Sequence, residues 1–238
     1  SVATLSGPNA TKILADAGID IDLSPANFPF MSMKVAHIGG LPARIFRISF
    51  TGELSYEINV AARHGLALWT HLMKVGAAHG ITPYGTEAMH VLRAEKGFII
   101  VGQETDGSVT PHDLGMGWIV SKAKPDFIGK RALSRESMSY ENRKQLVGLS
   151  CNDPKTVIPE GAHAVIDPNQ PLPMDMLGQV TSSYFSPNCG RSIAMAMLKG
   201  GRGLMGQTVY FPMLDGTVLD ATVVNPIFYD PKGARIDG

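Results

Sequence analysis

The chain has 238 residues, 44% of them hydrophobic, and its 21 basic and 21 acidic side chains give a formal net charge of zero. This balance excludes a general electrostatic affinity for nucleic acid or an anionic membrane, while the apolar content suffices for one large domain or two packed ones. Two cysteines exclude a disulfide framework, and no apolar run approaches the roughly 20 residues that cross a bilayer, so we expect a cytoplasmic protein with a specific ligand or a protein partner.

The N-terminal region predicts a strand followed by a short helix. Residues 1–5 read as a buried strand, and because they begin without a methionine or a polar leader, we expect a fragment of a longer polypeptide. Pro8 suits a first helical position, apolar residues then recur at helical spacing to Ala17, and Gly18 ends the helix.

The sequence FTGELSYE lies inside a predicted β-hairpin. β-Branched and aromatic residues predict a first strand over 43–50, and alternating polar and apolar residues predict a second over 55–60. Residues 51–54 form the connecting turn. Alternation puts Glu57 on the face opposite to three apolar side chains, those of Tyr56, Ile58 and Val60.

Two longer helices follow the hairpin. Apolar residues at helical spacing, Leu66, Trp69 and Met73 among them, predict one helix through Val75. A second helix is expected from Thr86, which can cap it, to Gly97. The alternation of strands and helices predicts an α+β unit over residues 1–135.

A polar connector at 134–144 separates this unit from a second domain, expected at 145–238. Beyond the connector, short strand-like runs alternate with Gly, Pro, Asn and Asp, which predicts a small β-barrel or sandwich. The runs are 146–151, 162–166, 178–182, 192–198, 208–211 and 218–224.

Glu57 is a candidate ligand-binding carboxylate. A carboxylate fixed on a strand can accept two parallel N–H donors, such as those of the 2-amino-4-oxo edge of a pterin, and the nearby Phe50 could cover the ring. The alternative is a solvated Glu57 beside a core Phe50. Spacing alone favours that alternative, since most carboxylates are exposed.

Three residues of the helix that starts at Thr86 are further candidates. Met89 and Arg93 share a face of the helix, and His90 lies beside Arg93. His90 could exchange protons near neutral pH, although the pattern favours a structural histidine. Arg93 could hold a glutamate tail or pair with an internal acid. The sequence contains no metal-ligand cluster or dinucleotide fingerprint, so we expect no metal.

The stretch from Tyr84 to Leu133 resembles the glycine-cleavage T-protein (aminomethyltransferase) family throughout its length. The residues that carry the resemblance are LRAEKG at 92–97, Thr110-Pro111, Trp118 and DFIGK at 126–130. Upstream, SGPNATKIL and FTGELSYE are similar to the Gly-Pro helix start and the Tyr-Thr-Gly-Glu-Asp-Gly-x-Glu segment of the family. Downstream, GQVTS at 178–182 is similar to a turn of its terminal barrel.

The resemblance implies a T-protein-like unit followed by a barrel, with tetrahydrofolate as the ligand. In the family, the second glutamate of the hairpin segment contacts the pterin and the tyrosine that opens it lies against the ligand, which implies these roles for Glu57 and Phe50. Phe50 replaces that tyrosine, and Met89 stands where T-proteins place a folate-contacting arginine. These departures agree with the folate-binding halves of flavoproteins that oxidise sarcosine and dimethylglycine.

For such a module the resemblance implies a place in an oxidoreductase complex, in which flavin and NAD bind elsewhere. Sarcosine is oxidised at the flavin, and tetrahydrofolate captures the one-carbon unit as 5,10-methylenetetrahydrofolate. The partners would be the remainder of the same subunit and the other subunits. The family site also draws an aspartate from a segment before the Gly-Pro helix that this chain does not contain, so we expect the isolated chain to be inactive and to bind folate weakly or not at all.

Three alternatives stay open. The first is a T-protein-like aminomethyltransferase. The second is a folate-dependent accessory protein of the iron–sulfur repair type, whose Lys-Gly-Cys-x-x-Gly-Gln-Glu signature is echoed at 96–104 with Phe98 in place of the cysteine and one residue inserted. The third is a scaffold that packs against partner subunits without catalysis.

Overall fold

The computed structural model describes residues 1–139 and 142–237. The chain forms two compact units, one made of Ser1–Arg93 with the C-terminal residues from Asp230, the other of Ala94–Tyr229. Helices combine with antiparallel sheets, which confirms the α+β class. The domain boundary predicted between residues 135 and 145 stays a prediction. No helix of the described residues is long and apolar enough to cross a membrane.

The first unit is built on a four-stranded antiparallel sheet with the strand order β1-β4-β3-β2. Its strands are β1 (Val2–Ser6), β2 (Ser32–Ile38), β3 (Leu41–Arg47) and β4 (Ser55–Val60). Its helices are α1 (Ala10–Asp16), α2 (Gly65–Gly76) and the greater part of α3 (Thr86–Glu95), and a short helix, Ala234–Asp237, lies near the C-terminus.

One face of this sheet carries the core of the first unit. As predicted, the side chains of Tyr56, Ile58 and Val60 in β4 are buried, and they belong to one apolar cluster with Leu14 of α1 and Leu68 of α2. Burying each large apolar side chain stabilises the fold by about 1.5–3 kcal/mol, and this contribution fixes which face of β4 points inward. The opposite face of the sheet remains open.

The structure corrects three details of the predicted elements. The first strand lies at the edge of the sheet, where Val2 is 59% exposed, and is therefore not the buried strand expected from its apolar residues. Strand β3 ends at Arg47, so Phe50 lies in the loop after it. In α2 the buried side is formed by Leu68 and Leu72, whereas Trp69 is 50% exposed, because the sheet covers only one side of this helix.

Strand β2 was not predicted. It pairs with β3 in a tight hairpin whose turn is Gly39-Gly40, with Ile38 opposite Leu41. The φ angles of the two glycines are +56° and +82°, which is the left-handed backbone that a two-residue turn of this kind requires. A Gly-Gly pair between two alternating runs was the signal for this hairpin.

The second unit contains a six-stranded antiparallel sheet with the order β6-β7-β8-β5-β10-β9, and each predicted strand is confirmed. The two edge strands meet through one bridge, in which Val165 N donates to Tyr210 O (2.8 Å) and Tyr210 N donates to Val165 O (2.9 Å), so the sheet is barrel-like. The strands are β5 (Lys144–Cys151), β6 (His163–Ala164), β7 (Gly178–Ser186), β8 (Arg191–Lys199), β9 (Thr208–Pro212) and β10 (Val218–Val224).

The segment that precedes β5 is made mainly of turns. It contains two helices of four residues each, Lys130–Leu133 and Glu136–Ser139, and residues 140–141 of the predicted connector lie outside the described residues. A buried ion pair anchors the segment, because Asp113 Oδ1 accepts a hydrogen bond of 2.8 Å from Arg143 Nε. Asp113 also accepts from the main-chain N–H (2.7 Å) and the hydroxyl (2.9 Å) of Thr110, which closes the turn over 110–113.

Candidate functional site

The open face of the four-stranded sheet carries a row of four aligned side chains. Thr4 of β1 pairs with Glu57 of β4, Glu57 pairs with Phe46 of β3, and Phe46 pairs with Met33 of β2. A second row lies two residues along the strands, and its side chains are Val2, Asn59, Arg44 and Val35. Both rows lie on the face opposite to the core, because side chains alternate along a strand.

Glu57 lies at the centre of this face. It occupies the middle of β4, its side chain is half-buried, and its Oε1 atom accepts a hydrogen bond of 3.0 Å from Asn59 Nδ2. Among the described residues, Asn59 is the side-chain donor to this carboxylate, and Oε2 accepts from none. A carboxylate held by a rigid strand in this way can take part in a bidentate, charge-assisted contact with two N–H donors.

Phe46 is the aromatic neighbour of Glu57 that the sequence analysis missed. The predicted turn over 51–54 would have placed Ile48 opposite Glu57, whereas the real register pairs Glu57 with Phe46. The connecting loop is therefore longer than predicted, and the register moves by two residues without changing the face on which each side chain lies. Directly opposed side chains have Cβ atoms about 4.5–5.5 Å apart, so the half-buried Phe46 is the cross-strand neighbour of Glu57 on the open face.

Phe50 lies in the loop between β3 and β4, where it is 37% exposed and engaged in an interaction. The loop is held at two points. The Ser49 hydroxyl accepts a hydrogen bond of 3.0 Å from Gly52 N, and Glu53 forms an ion pair with Arg235 near the C-terminus. Phe50 is thus attached to a restrained loop, on the same hairpin as Glu57.

The base of the loop is fixed by Arg47, which is only 2% exposed. Its Nη1 atom donates to the carbonyl oxygen of Phe28 (2.8 Å), and Nη2 donates to that of Asp237 (3.2 Å). A planar guanidinium can bridge two carbonyl groups in this way because its N–H donors have a fixed geometry. Arg47 therefore fixes the end of β3. Phe46, the residue before it, has its side chain on the open face.

The other three candidate residues share helix α3. Met89 and His90 are half-buried, and Arg93 is fully buried and has an interaction partner. Met89 borders a groove of about 650 Å³ between β1, α2 and the residues that lead into α3; the other four candidates are not part of its lining. The structure thus brings Glu57 and Phe50 onto one hairpin, and Met89, His90 and Arg93 onto one helix. The binding roles of all five residues stay predictions.

The described residues contain no group of three or more His, Cys, Asp or Glu side chains arranged to hold a metal ion. The chemical character of the open face is that of a recognition surface. It offers one fixed carboxylate, one aromatic ring, the exposed guanidinium of Arg44 and several apolar side chains, among them Val35, which is 71% exposed. Such a face can bind a flat molecule that has N–H donors along one edge.

A four-stranded sheet with this hairpin, followed by a barrel-like sheet, defines a T-protein type of protein. The sequence model of the GCVT N-terminal domain matches residues 1–124, and that of the glycine cleavage T-protein C-terminal barrel domain matches residues 144–230. The chain belongs to the glycine-cleavage T-protein family.

Similar proteins fall into two groups. Sarcosine oxidase subunit alpha is 47% identical in Corynebacterium sp. (strain P-1) and 40% identical in Rhizobium meliloti (strain 1021), in each case over 98% of this chain. The chain spans 24% of the length of each of these two relatives. An aminomethyltransferase of Caldanaerobacter subterraneus subsp. tengcongensis is 32% identical to this chain. The match covers 94% of this chain and 57% of the aminomethyltransferase.

A solved structure agrees with this assignment. The glycine cleavage system aminomethyltransferase T from Bartonella henselae superposes with a TM-score of 0.80 at 26% sequence identity. The match covers 95% of this chain and 59% of the other. The expected T-protein-like fold, with mixed helices and antiparallel sheets and a barrel-like C-terminal part, is therefore confirmed.

Proposed function

We propose that this chain is the tetrahydrofolate-binding part of a longer oxidase subunit of the sarcosine oxidase alpha type. The observation that supports the proposal best is Glu57, a carboxylate with one open oxygen at the centre of an open sheet face, beside Phe46. It belongs to a chain that is 47% identical to a sarcosine oxidase subunit alpha.

In the proposed complex, the carboxylate of Glu57 accepts the 2-amino N–H and the N3–H of the pterin. Two parallel hydrogen bonds to an ionised carboxylate fix both the position and the orientation of the ring. Phe46 lies beside the carboxylate and covers one face of the ring, and Phe50 contacts the ligand from the loop. These residues fit a pterin, because the pterin presents N–H donors on one edge for the carboxylate and two apolar faces for the aromatic rings.

The protein's task in this proposal is to hold folate for a reaction that begins elsewhere. Sarcosine is oxidised at a flavin in another part of the complex, where NAD also binds, and bound tetrahydrofolate supplies the amines that take up the one-carbon unit as 5,10-methylenetetrahydrofolate. Glu57 and the aromatic residues orient the pterin, and we assign Met89, His90 and Arg93 to the same binding site. The partners are the remainder of the subunit and the other subunits.

The test is Glu57→Gln in the complete oxidase, with Glu87→Gln as the matched control because Glu87 is an exposed residue in the first turn of α3. Both methylenetetrahydrofolate and peroxide formed from sarcosine are measured. We expect Glu57→Gln to reduce methylenetetrahydrofolate formation at least about tenfold, which corresponds to about 1.4 kcal/mol of lost binding, and to leave peroxide formation intact. If both products persist unchanged, the module is a scaffold and the proposal is wrong.

A second candidate function is aminomethyl transfer, which is supported by the aminomethyltransferase that is 32% identical over 94% of this chain. The two functions differ in the source of the one-carbon unit. An aminomethyltransferase takes it from an aminomethylated carrier protein, so methylenetetrahydrofolate should form from that carrier without sarcosine. The oxidase module should form it with sarcosine alone.

A further inference from the structure

The edge strand β1 has main-chain groups that point away from the sheet. Ser1 N donates to Val60 O (2.9 Å) and Val60 N donates to Ser1 O (3.0 Å), so these two residues exchange both hydrogen bonds. In an antiparallel ladder such pairs recur at every second residue, and Gly7 N, which donates to Leu54 O (2.8 Å), continues the series. Ala3 and Leu5 therefore point their main-chain groups towards β4.

The residues between them, Val2, Thr4 and Ser6, point their N–H and C=O groups the other way. These outward groups make no main-chain hydrogen bond to the described turns and loops around β1. An unpaired strand edge is a template for another strand, and proteins normally cover or block it. Nothing in β1 blocks the edge, since these residues include no charged side chain, proline or bulge.

The free edge borders the groove of about 650 Å³ that Met89 also lines. The opposite wall is apolar and includes Trp69 and Met73 of α2, and Tyr84. Trp69 is 50% exposed and Tyr84 is 42% exposed, so both rings are accessible to a further segment. Among the described residues, no Asp, Glu, Lys or Arg lines the groove, and its histidine, His79, is paired with Asp16, so the groove suits an uncharged segment.

We propose that β1 accepts a fifth strand, an extended apolar peptide segment that comes from the rest of the longer polypeptide. The source follows from the family, because this chain spans 24% of the Corynebacterium subunit and 59% of the Bartonella chain, so family members contain much further sequence. The proposal rests on the proposed function only in that the chain is part of such a polypeptide. A strand in the groove pairs with Val2, Thr4 and Ser6 and packs its apolar side chains on Trp69.

A second copy of this chain is a less suitable occupant. Pairing two β1 edges would bring two α2 helices and their neighbouring residues towards the same groove, since in each copy α2 forms the wall beside the edge. Strands in a sheet lie only about 4.8 Å apart, so the second copy would have to bring its own α2 and neighbouring residues close to this wall. A single strand from the same polypeptide avoids this conflict and requires no second subunit.

Amide-resolved hydrogen exchange, without folate, tests the proposal in the complete subunit and in this chain alone. We expect the amides of Val2, Thr4 and Ser6 to exchange at least about 100-fold more slowly in the complete subunit, because each gains a hydrogen-bonded partner. The amides of Ala3 and Leu5 point towards β4 and serve as internal controls that should be protected in both proteins. Equal exchange of the three outward amides in both proteins would overturn the proposal.

A substitution keeps the test decisive if the chain alone is too labile for exchange measurements. Thr4→Pro removes an N–H that points outward, and Ala3→Pro removes one that points to β4. We expect Thr4→Pro to lower the melting temperature more in the complete subunit than in the chain alone, and Ala3→Pro to lower it in both.

The exchange measurement also tests for a second copy as the occupant. If the amides of Val2, Thr4 and Ser6 become more protected from exchange in the chain alone as its concentration rises, a second copy occupies the edge and the proposal is wrong. These measurements follow the amides of β1 in the absence of folate, so failure here does not bear on the Glu57→Gln test of the folate proposal.

Discussion

The Nε atom of Arg235 lies 2.5 Å from Oε1 of Glu53, and this ion pair joins residues that are 182 positions apart in the chain. Glu53 belongs to the loop that carries Phe50, and Arg235 belongs to the short helix near the C-terminus, whose first residues are capped by Asp230. The C-terminal segment therefore holds the loop of the candidate site from outside the hairpin.

Arg235→Ala should loosen this loop at little cost in stability. Arg235 is 44% exposed, and exposed ion pairs contribute only about 0.2–1 kcal/mol, so we expect a decrease of that size in the free energy of unfolding. Hydrogen exchange of residues 48–54 should accelerate at the same time. The charge-reversed double variant Glu53→Arg, Arg235→Glu should restore slow exchange; if it does not, the pair does not restrain the loop.

Arg47→Ala should destabilise the first unit far more than Arg235→Ala. The guanidinium of Arg47 is buried and donates to the carbonyl groups of Phe28 and Asp237, so its removal leaves a cavity and takes the donor from the carbonyl of the buried Phe28. We expect a loss of about 3–5 kcal/mol in urea unfolding. Arg47→Lys supplies a charge without the planar pair of donors and should recover only part of the loss. A loss below about 1 kcal/mol for Arg47→Ala would contradict this role.

The pair of Asp113 and Arg143 predicts how the stability of the second unit depends on pH. Burial alone would raise the pKa of the Asp113 carboxyl, but hydrogen bonds from Arg143 and Thr110 outweigh it and lower the pKa below its ordinary value of 3.8. A lowered folded-state pKa means that the carboxylate stabilises the fold above the ordinary value. This contribution is lost as the pH falls through the folded-state pKa.

Asp113→Asn is the variant that tests this dependence. At neutral pH we expect it to cost about 1–3 kcal/mol, since it removes the charged acceptor of the hydrogen bonds from the half-buried Arg143. The difference in the free energy of unfolding between the wild type and Asp113→Asn should shrink as the pH falls below 3.8. A difference that stays constant from neutral to acidic pH would show that Asp113 does not titrate differently in the folded and unfolded states.

The Gly39-Gly40 turn offers a matched pair of substitutions. Both glycines have positive φ angles, so an alanine at either position is strained by about 1 kcal/mol. A Cβ atom at Gly39 would also lie 2.9 Å from Nε2 of His71, whereas one at Gly40 would meet no atom within 4 Å. We expect Gly39→Ala to be the more destabilising in thermal unfolding. Equal effects would mean that the His71 ring moves aside at no cost.

Local patterns predicted the strands well wherever a side-chain period or a turn residue specified them. The alternation of β4 placed Glu57 correctly on the face opposite to the core, and Gly, Pro, Asn and Asp delimited the strands of the second unit. The register of the β3–β4 hairpin could not be predicted in the same way. Loop length decides register, and a shift of two residues leaves every side chain on the same face, so the pattern contains no information about it.

Contacts between residues far apart in the chain could not be predicted from local sequence patterns. Arg47 follows an ordinary strand pattern, and its partner Asp237 lies 190 residues further along the chain. The position of Phe46 beside Glu57 was missed for the related reason that it depends on the register. Family resemblance indicated the folate ligand, but the neighbours of Glu57 required the folded chain.

The bridge between Val165 and Tyr210 joins the two ends of the sheet in the second unit. Strand β6 has only two residues, and the closing contact beside it consists of a single residue pair with two hydrogen bonds. Separating these two residues breaks two main-chain hydrogen bonds and leaves the long β7–β8 and β5–β8 ladders intact. It also exposes Val165, which is buried, so the sheet should open here before it opens along either ladder, but only with exposure of part of its apolar core.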